Sequence, residues 1–473
     1  MPPAGAPPAR SRGCLRTLRH VAFYKLCGAA LALLACACPQ TAAPRSEPSA
    51  AATPTVVDAE RRVPAAEAEQ ALGQAAESAA SRHRARTLAN AIQAQTGVPL
   101  VQGNRTRLLI DGPSTYEAML GAVESARDHI HIETYIFADD AVGRRFADAL
   151  VRKRREGVAV RVVYDAIGSI ASDGKFFAGM AEQGIEVAEF RPLGSSSLWR
   201  VNNRDHRKLT VIDGRVAFTG GLNISSTYSR ASTSRPGPEE GLSSGWRDTH
   251  LEIRGPSVRL FQALFVQTWT RLGHRPPPAA GLYPELDEVG DDLVQVVASE
   301  GGDEREFRVY NTYLAVLRNA RHRIWISQAY FAPDAELRDA LASAAARGVD
   351  VRVIVPAFTD SALIHYGSRA TYESLLDSGV AIYEHENALM HAKTAVVDGV
   401  WSTVGSSNLD PRSFVHNDEL NAAVVSTDLA RDMEAMFGRD LASSRRIDPQ
   451  TWKARPARER ILERLSSLLS YWL

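Results

Sequence analysis

At 473 residues the chain is too long for one ordinary hydrophobic core, so two halves or two domains are expected, and 45% hydrophobic with 23% charged residues is the composition of a folded globular protein. The formal charge is +0, but Arg10, Arg12, Arg16, Arg19 and Lys25 stand in a first stretch without acids, which leaves the remainder mildly acidic. That balance argues against broad nucleic-acid binding, which relies on clustered Lys and Arg, and no nucleic-acid partner is expected.

Residues 1–38 combine this basic start with an apolar run from Leu26 to Cys38 and hold all four cysteines, Cys14, Cys27, Cys36 and Cys38. The run is short for a bilayer span and suits a signal segment; Leu33-Leu34-Ala35-Cys36 resembles a bacterial lipoprotein cleavage box. Membrane association in a bacterial cell envelope is the expectation. Residues 39–96 follow as a Pro/Ala-rich linker and an Ala/Glu/Arg-rich helical segment.

From about Gly97, β-branched runs alternate with helical segments, the pattern of an α/β fold. Ile130 to Phe137, a helix over Phe146 to Glu156, and Val158 to Tyr164 form one unit. It recurs as Ile324 to Phe331, a helix over Leu337 to Ala346, and Gly348 to Val355. The expected boundaries are 97–285 for the first half, 286–445 for the second, and 446–473 for a C-terminal amphipathic helix.

Each half then reaches the same element. From His206, Lys208, Asp213, Gly214, Gly220 and Asn223 follow at the offsets at which Lys393, Asp398, Gly399, Gly405 and Asn408 follow His391. Residues two apart in a strand share a face, so each His and Lys project together. The Asp-Gly pairs predict hairpin turns that return the Gly and Asn to the His/Lys end. Small residues there, with Ser407 among them, let an anion approach the backbone, and Asn223 and Asn408 can donate to it.

Two imidazoles and two ammonium groups suit phosphodiester cleavage without a cofactor. One neutral His attacks phosphorus, the other protonates the leaving alcohol, and the lysines stabilise the growing charge. No metal site is expected, because Lys is a poor ligand and neither motif carries ligand spacing. A nucleophilic His needs an acceptor on its other nitrogen, and Asp248 and Glu419, each just before the next strand of its half, are the candidates. Asp213 and Asp398 complete the motif and are expected to fix the turns. His250, His365, His385 and His416 are assigned to structure or the rim.

Ser229 to Ser244 has no counterpart of comparable length in the second half and is a candidate lid. Near the end, Ile461, Leu462, Leu465, Leu468 and Leu469 share a helical face, expected to pack on the domain, with a membrane surface as the alternative.

The duplicated His-x-Lys-(x4)-Asp followed by Gly-Gly/Ser-x-Asn resembles the phospholipase D superfamily, from about Leu108 to Val425. The stretches Glu133 to Phe137, Asp205 to Ile224, Trp246 to His250 and Leu389 to Arg412 look most like bacterial cardiolipin synthases. The resemblance implies two similar phospholipase D-like halves, each a mixed sheet flanked by helices, with the active site between them. It implies phosphatidyl transfer from phosphatidylglycerol to a second lipid alcohol, with His206 as nucleophile, a phospholipid substrate at a membrane surface, and a monomer, since both motifs lie in one chain. Hydrolysis of phospholipid is the alternative, and nuclease activity a more distant one. The short signal-like run departs from those synthases, which typically carry two transmembrane helices or no signal.

Overall fold

The chain is seen in a computed structural model that describes residues 52–59, 61–192, 194, 202–232, 245–302, 306–359 and 361–468. The signal-like run and most of the lid candidate, residues 233–244, lie outside the described residues.

The first half builds a sheet from Leu100–Ile110 (β1), His129–Thr134 (β2), Ala159–Asp165 (β3), Glu186–Phe190 (β4), Lys208–Ile212 (β5), Val216–Gly220 (β6) and Thr249–Arg254 (β7). The second half repeats it with Asp292–Ser299 (β8), Arg323–Gln328 (β9), Asp350–Pro356 (β10), Ala381–His385 (β11), Lys393–Val397 (β12), Trp401–Gly405 (β13) and Glu419–Val425 (β14). The pairings give the order β4-β3-β2-β5-β6-β7-β1 in the first half. The second has the matching order β11-β10-β9-β12-β13-β14-β8. In each, the β-helix-β units give parallel pairs and the hairpins antiparallel ones, as connection lengths require. The long strand β1 also pairs antiparallel with β8, joining the two sheets, and both halves belong to one compact unit.

Both Asp-Gly pairs make the turns expected of them. Asp213 and Gly214 have φ of 52° and 59°, Asp398 and Gly399 of 54° and 65°, so both central residues of each β-turn, closed by Arg215 N to Ile212 O and by Val400 N to Val397 O, are left-handed, as a type I′ turn demands.

The inner faces of the sheets share one core, where Leu209, Val211 and Ile253 meet Val396, Leu420 and Val424 between the helices Val258–Arg271 and Thr427–Ala442. Full burial of such side chains is worth roughly 1.5–3 kcal/mol each. The other helices cover the outer faces. Among them, Ala141–Arg155 buries Phe146, Ala147 and Leu150 and ends on Arg152 to Arg155, cations suited to a helix C-terminus. It begins five residues before the expected start because Asp140 caps it, accepting from the Val142 and Gly143 amides at 3.0 Å. The helical segment of residues 65–96 is not a detached linker: Leu72, Leu88 and Ile92 enter the core of the second half.

Among the described residues no helix is long and apolar enough to cross a membrane. The C-terminal helix, Ala457–Ser467, departs from the packing expectation, since it buries Glu463 and Ser466 and leaves its leucines outside.

Candidate active site

Lys208 and Lys393 open β5 and β12, and each His precedes its Lys by two residues in extended chain, so both pairs reach the same ends of their sheets. The halves meet there through main-chain bridges. The His206 amide donates to the Asp418 carbonyl at 3.0 Å, and the His391 amide donates to the Arg247 carbonyl at 2.7 Å. Asp418 and Arg247 are the residues just before Glu419 and Asp248.

That docking crosses the carboxylates over. His206 Nδ1 lies 3.1 Å from both carboxylate oxygens of Glu419, which comes from the second half. His391 Nδ1 lies 2.6 Å from Asp248 Oδ2, from the first half. Neither half holds its own histidine. An Nδ1–H donated to a carboxylate leaves the Nε2 lone pair free and the ring oriented.

Close approach decides the small residues. A Cβ at Gly221 would stand 2.1 Å from Asp248 Oδ1. The equivalent Ser406 instead turns its hydroxyl to Glu419, which Asn417 also supports at 3.3 Å.

The electrostatics follow from burial and from these pairs. Burial pushes His206 and His391 from the ordinary 6.5 down to about 4; the facing carboxylates oppose the shift and the lysines add to it. Burial opposes ionisation of Asp248 and Glu419, but the imidazoles and lysines outweigh it and hold both below the usual carboxylate range. Lys208 falls to about 7 through burial, opposed by Glu419 and aided by Lys393. The site thus holds neutral imidazoles beside ionised carboxylates, with a lysine poised near neutrality. A bound phosphodiester anion would draw protons onto Lys208 and one histidine.

Lys208 Nζ donates to its own His206 carbonyl at 2.6 Å and sits 5.3 Å from the Tyr135 ring centroid. Lys393 Nζ lies 3.0 and 3.1 Å from the two ring nitrogens of His391. Each lysine thus lies beside the histidine of its own motif.

Other expected site residues are placed differently. Asp213 lies at the far end of its hairpin, accepting from the amides of Arg127, Asp128 and His129 at 2.8–2.9 Å. Asp398 accepts from Arg321, His322 and Arg323 at 2.7–2.9 Å. Grouped with the catalytic residues by the motif, both carboxylates are spent on tying the turn to the neighbouring strand's start. Asn223 is built into the wall: its Oδ1 accepts from Ile136 N at 3.1 Å and its amide donates to Tyr228 Oη at 3.1 Å, leaving one amide hydrogen for a ligand. Ser407 donates to the Asn408 carbonyl and, through its main chain, to Asn421, so its hydroxyl is committed within the loop. Asn408 is buried with Oδ1 unpaired, and its amide stays available. His250 is buried behind Gly220, whose added Cβ would meet its Nδ1 at 2.5 Å, which fits the structural role expected of it.

Three aromatic residues of the site, two of them within the stretches that carry the resemblance, had been given no role by the sequence. Tyr135 packs edge-on to His206 with centroids 5.1 Å apart. Trp246 lies 5.1 Å and Tyr228 5.6 Å from the His391 ring, and Tyr228 Oη reaches Nδ1 at 3.3 Å. Beneath the site, Arg247 spans the halves through paired 2.8 Å bonds to Asp440.

A family model described as "Cardiolipin synthase, PLD-like domain" matches residues 119–233 and 313–441, the two segments that carry the two motifs. A cardiolipin synthase of a Geobacillus species is 37% identical over 376 residues, covering 79% of this chain and 73% of its own. Cardiolipin synthase 1 of Bacillus cereus is 35% identical over 399 residues, covering 81% and 75%. Among solved structures, a phosphatidylserine synthase of Haemophilus influenzae superposes with a TM-score of 0.63 at 13% identity, over 82% of this chain and all of the other. At that identity it supports the fold: two such halves, each a mixed sheet flanked by helices.

Proposed function

The chain belongs to the phospholipase D-like cardiolipin synthase family, and we propose that it transfers a phosphatidyl group from phosphatidylglycerol to the free alcohol of a second phosphatidylglycerol through a phosphohistidine. It is a phospholipid phosphatidyltransferase. The observation that carries the mechanism is the crossed pairing, which leaves two imidazoles at one seam between the halves, each oriented through Nδ1 by a carboxylate of the opposite half.

In the first step His206 Nε2 bonds to phosphorus while the bond from phosphorus to the glycerol oxygen breaks. His391, protonated once the anionic substrate is bound, gives that oxygen its proton and glycerol leaves. Glu419 balances the positive charge on the phosphorylated imidazole, and Asp248 does the same for the imidazolium. In the second step His391 takes the proton from the acceptor alcohol, whose oxygen attacks phosphorus and frees His206, yielding cardiolipin. Lys208 and Lys393, with the amides of Asn408 and Asn223, meet the negative charge on the non-bridging oxygens. One such donor is worth about 10²–10³ in kcat.

Likeness to bacterial cardiolipin synthases supports association with a membrane, where the lipid substrate resides. A cell-envelope location through the N-terminal signal-like segment, and action as a monomer, complete the proposal. Incubation of purified protein with phosphatidylglycerol vesicles tests it: cardiolipin and glycerol are the expected products. Phosphatidic acid alone would replace transfer with hydrolysis, and DNA cleavage without lipid turnover would overturn both.

A further inference from the structure

The C-terminal helix is mounted inside out. Ile461, Leu462, Leu465 and Leu468 are 57%, 41%, 55% and 79% exposed, whereas Glu463 is 2% and Ser466 7% exposed. Among the described residues the only other exposed large apolar side chain is Ile170. A soluble surface helix turns its apolar stripe inward, and clustered exposed apolar groups mark an interaction surface.

What holds the helix in this orientation is charge. Glu463 is gripped by Arg455 at 2.7 Å and by Arg369 at 3.4 Å, and Glu459 by Arg369 at 3.4 Å. Both guanidiniums also lie over the Trp452 ring, 4.5 and 4.6 Å from its centroid. The acids of the helix are thereby consumed within the protein, while Arg458, Arg460 and Arg464 stand exposed beside the apolar residues. A surface that is apolar along one stripe and cationic at its flanks is complementary to the headgroup layer of an anionic bilayer.

Position ties this surface to catalysis. The helix Ala362–Arg369 packs along Ala457–Ser467. Its Ile364 and His365 share a small cavity with Ala329, Phe331 and Pro356, at the ends of β9 and β10. Ala329 in turn donates its amide at 3.1 Å to the carbonyl of Ala392, the residue between His391 and Lys393. The two helices therefore flank the end of the second sheet at which the site lies.

We propose that Ala457–Ser467 docks the catalytic body onto an anionic phospholipid surface, apolar face down, so that the site meets its substrate in the plane of the membrane. The proposal rests on the phosphatidyl-transfer reading. Its test compares the full chain with an Ile461→Ser/Leu465→Ser/Leu468→Ser variant and an Arg458→Gln/Arg460→Gln/Arg464→Gln variant. Each is given phosphatidylglycerol in mixed vesicles with phosphatidylcholine, and also short-chain phosphatidylglycerol below its micelle concentration. Glycerol release from vesicles is expected to fall at least tenfold in both variants, with release from the monomeric lipid within twofold of wild type. Unchanged vesicle turnover overturns the proposal, and so does equal loss on both substrates, which would make the helix structural. Sedimentation showing a wild-type dimer that the apolar variant abolishes would assign the face to a second copy instead. If the wild type turns over neither lipid, the transfer reading fails, and hydrogen exchange of residues 457–468 decides docking: slowing on phosphatidylglycerol vesicles sustains it, and no change removes it.

Discussion

Glu419→Gln removes one negative charge while keeping the size of the side chain and its contact with Ser406. Glu419 is fully buried and stands 3.1 Å from His206 Nδ1. At charge separations near 4 Å, an effective dielectric of about 20 gives roughly 4 kcal/mol for the carboxylate acting on a positively charged imidazole. Since about 1.4 kcal/mol is tenfold in rate, kcat is expected to fall about a thousandfold. An amide also accepts less well from Nδ1–H and can stabilise the wrong tautomer, which acts in the same direction. Single-turnover glycerol release at pH 7, with circular dichroism to verify folding, measures it. A folded Glu419→Gln enzyme within threefold of wild type would refute the assignment of Glu419 as the orienting partner of His206.

Gly221→Ala should push Asp248 away from His391, because the new Cβ would lie 2.1 Å from its Oδ1; kcat should drop at least tenfold in kinetics, and melting temperature should fall too, because the displaced carboxylate is fully buried. Asp398→Ala should act on stability alone, costing about 1–3 kcal/mol through three unanswered amides and leaving kcat of the folded enzyme within a few-fold, as denaturant titration and assay would show. Arg247→Met strands the buried Asp440 carboxylate and should destabilise the protein by about 3–5 kcal/mol in the same titration. On acidification, His206 and His391, whose folded values near 4 lie below the unfolded 6.5, contribute stability that is whole above pH 6.5 and lost as pH falls through about 4. The depressed Asp248 and Glu419 act in the same direction but only below their ordinary 3.8 and 4.5, so melting temperature should begin to decline below pH 6.5 through the histidines and keep falling below about 4 through the carboxylates.

The duplicated element was legible because its signals are local: an alternating strand, an Asp-Gly turn and a small-residue return each report on their own few residues. Hence the hairpins at Asp213-Gly214 and Asp398-Gly399 and the placement of both histidines beside their lysines could be anticipated. The carboxylates were identified as candidates, but which histidine each serves depends on how the halves dock, and only the bridges at Asp418 and Arg247 reveal the exchange. Tyr135 and Trp246 lie in stretches that carry the family resemblance, but neither they nor Tyr228 have a spacing rule that assigns them a place beside a histidine ring. The Asp140 cap could have been found from an Asp set just before a helical run. Helical periodicity grouped Ile461, Leu462, Leu465 and Leu468 on one face but could not say which way that face points. The ion pairs of Glu463 decide it, and they involve Arg369, far away in sequence.

In the proposed reaction each half supplies one histidine to a single covalent site, His206 as the nucleophile and His391 as the acid. Rapid quenching of the enzyme with phosphatidylglycerol, followed by peptide mapping under conditions that preserve phosphoramidates, tests it directly. A phosphatidyl adduct on His206 that builds and decays at the rate of turnover is expected; turnover without any adduct, or an adduct on His391, would contradict the proposed mechanism.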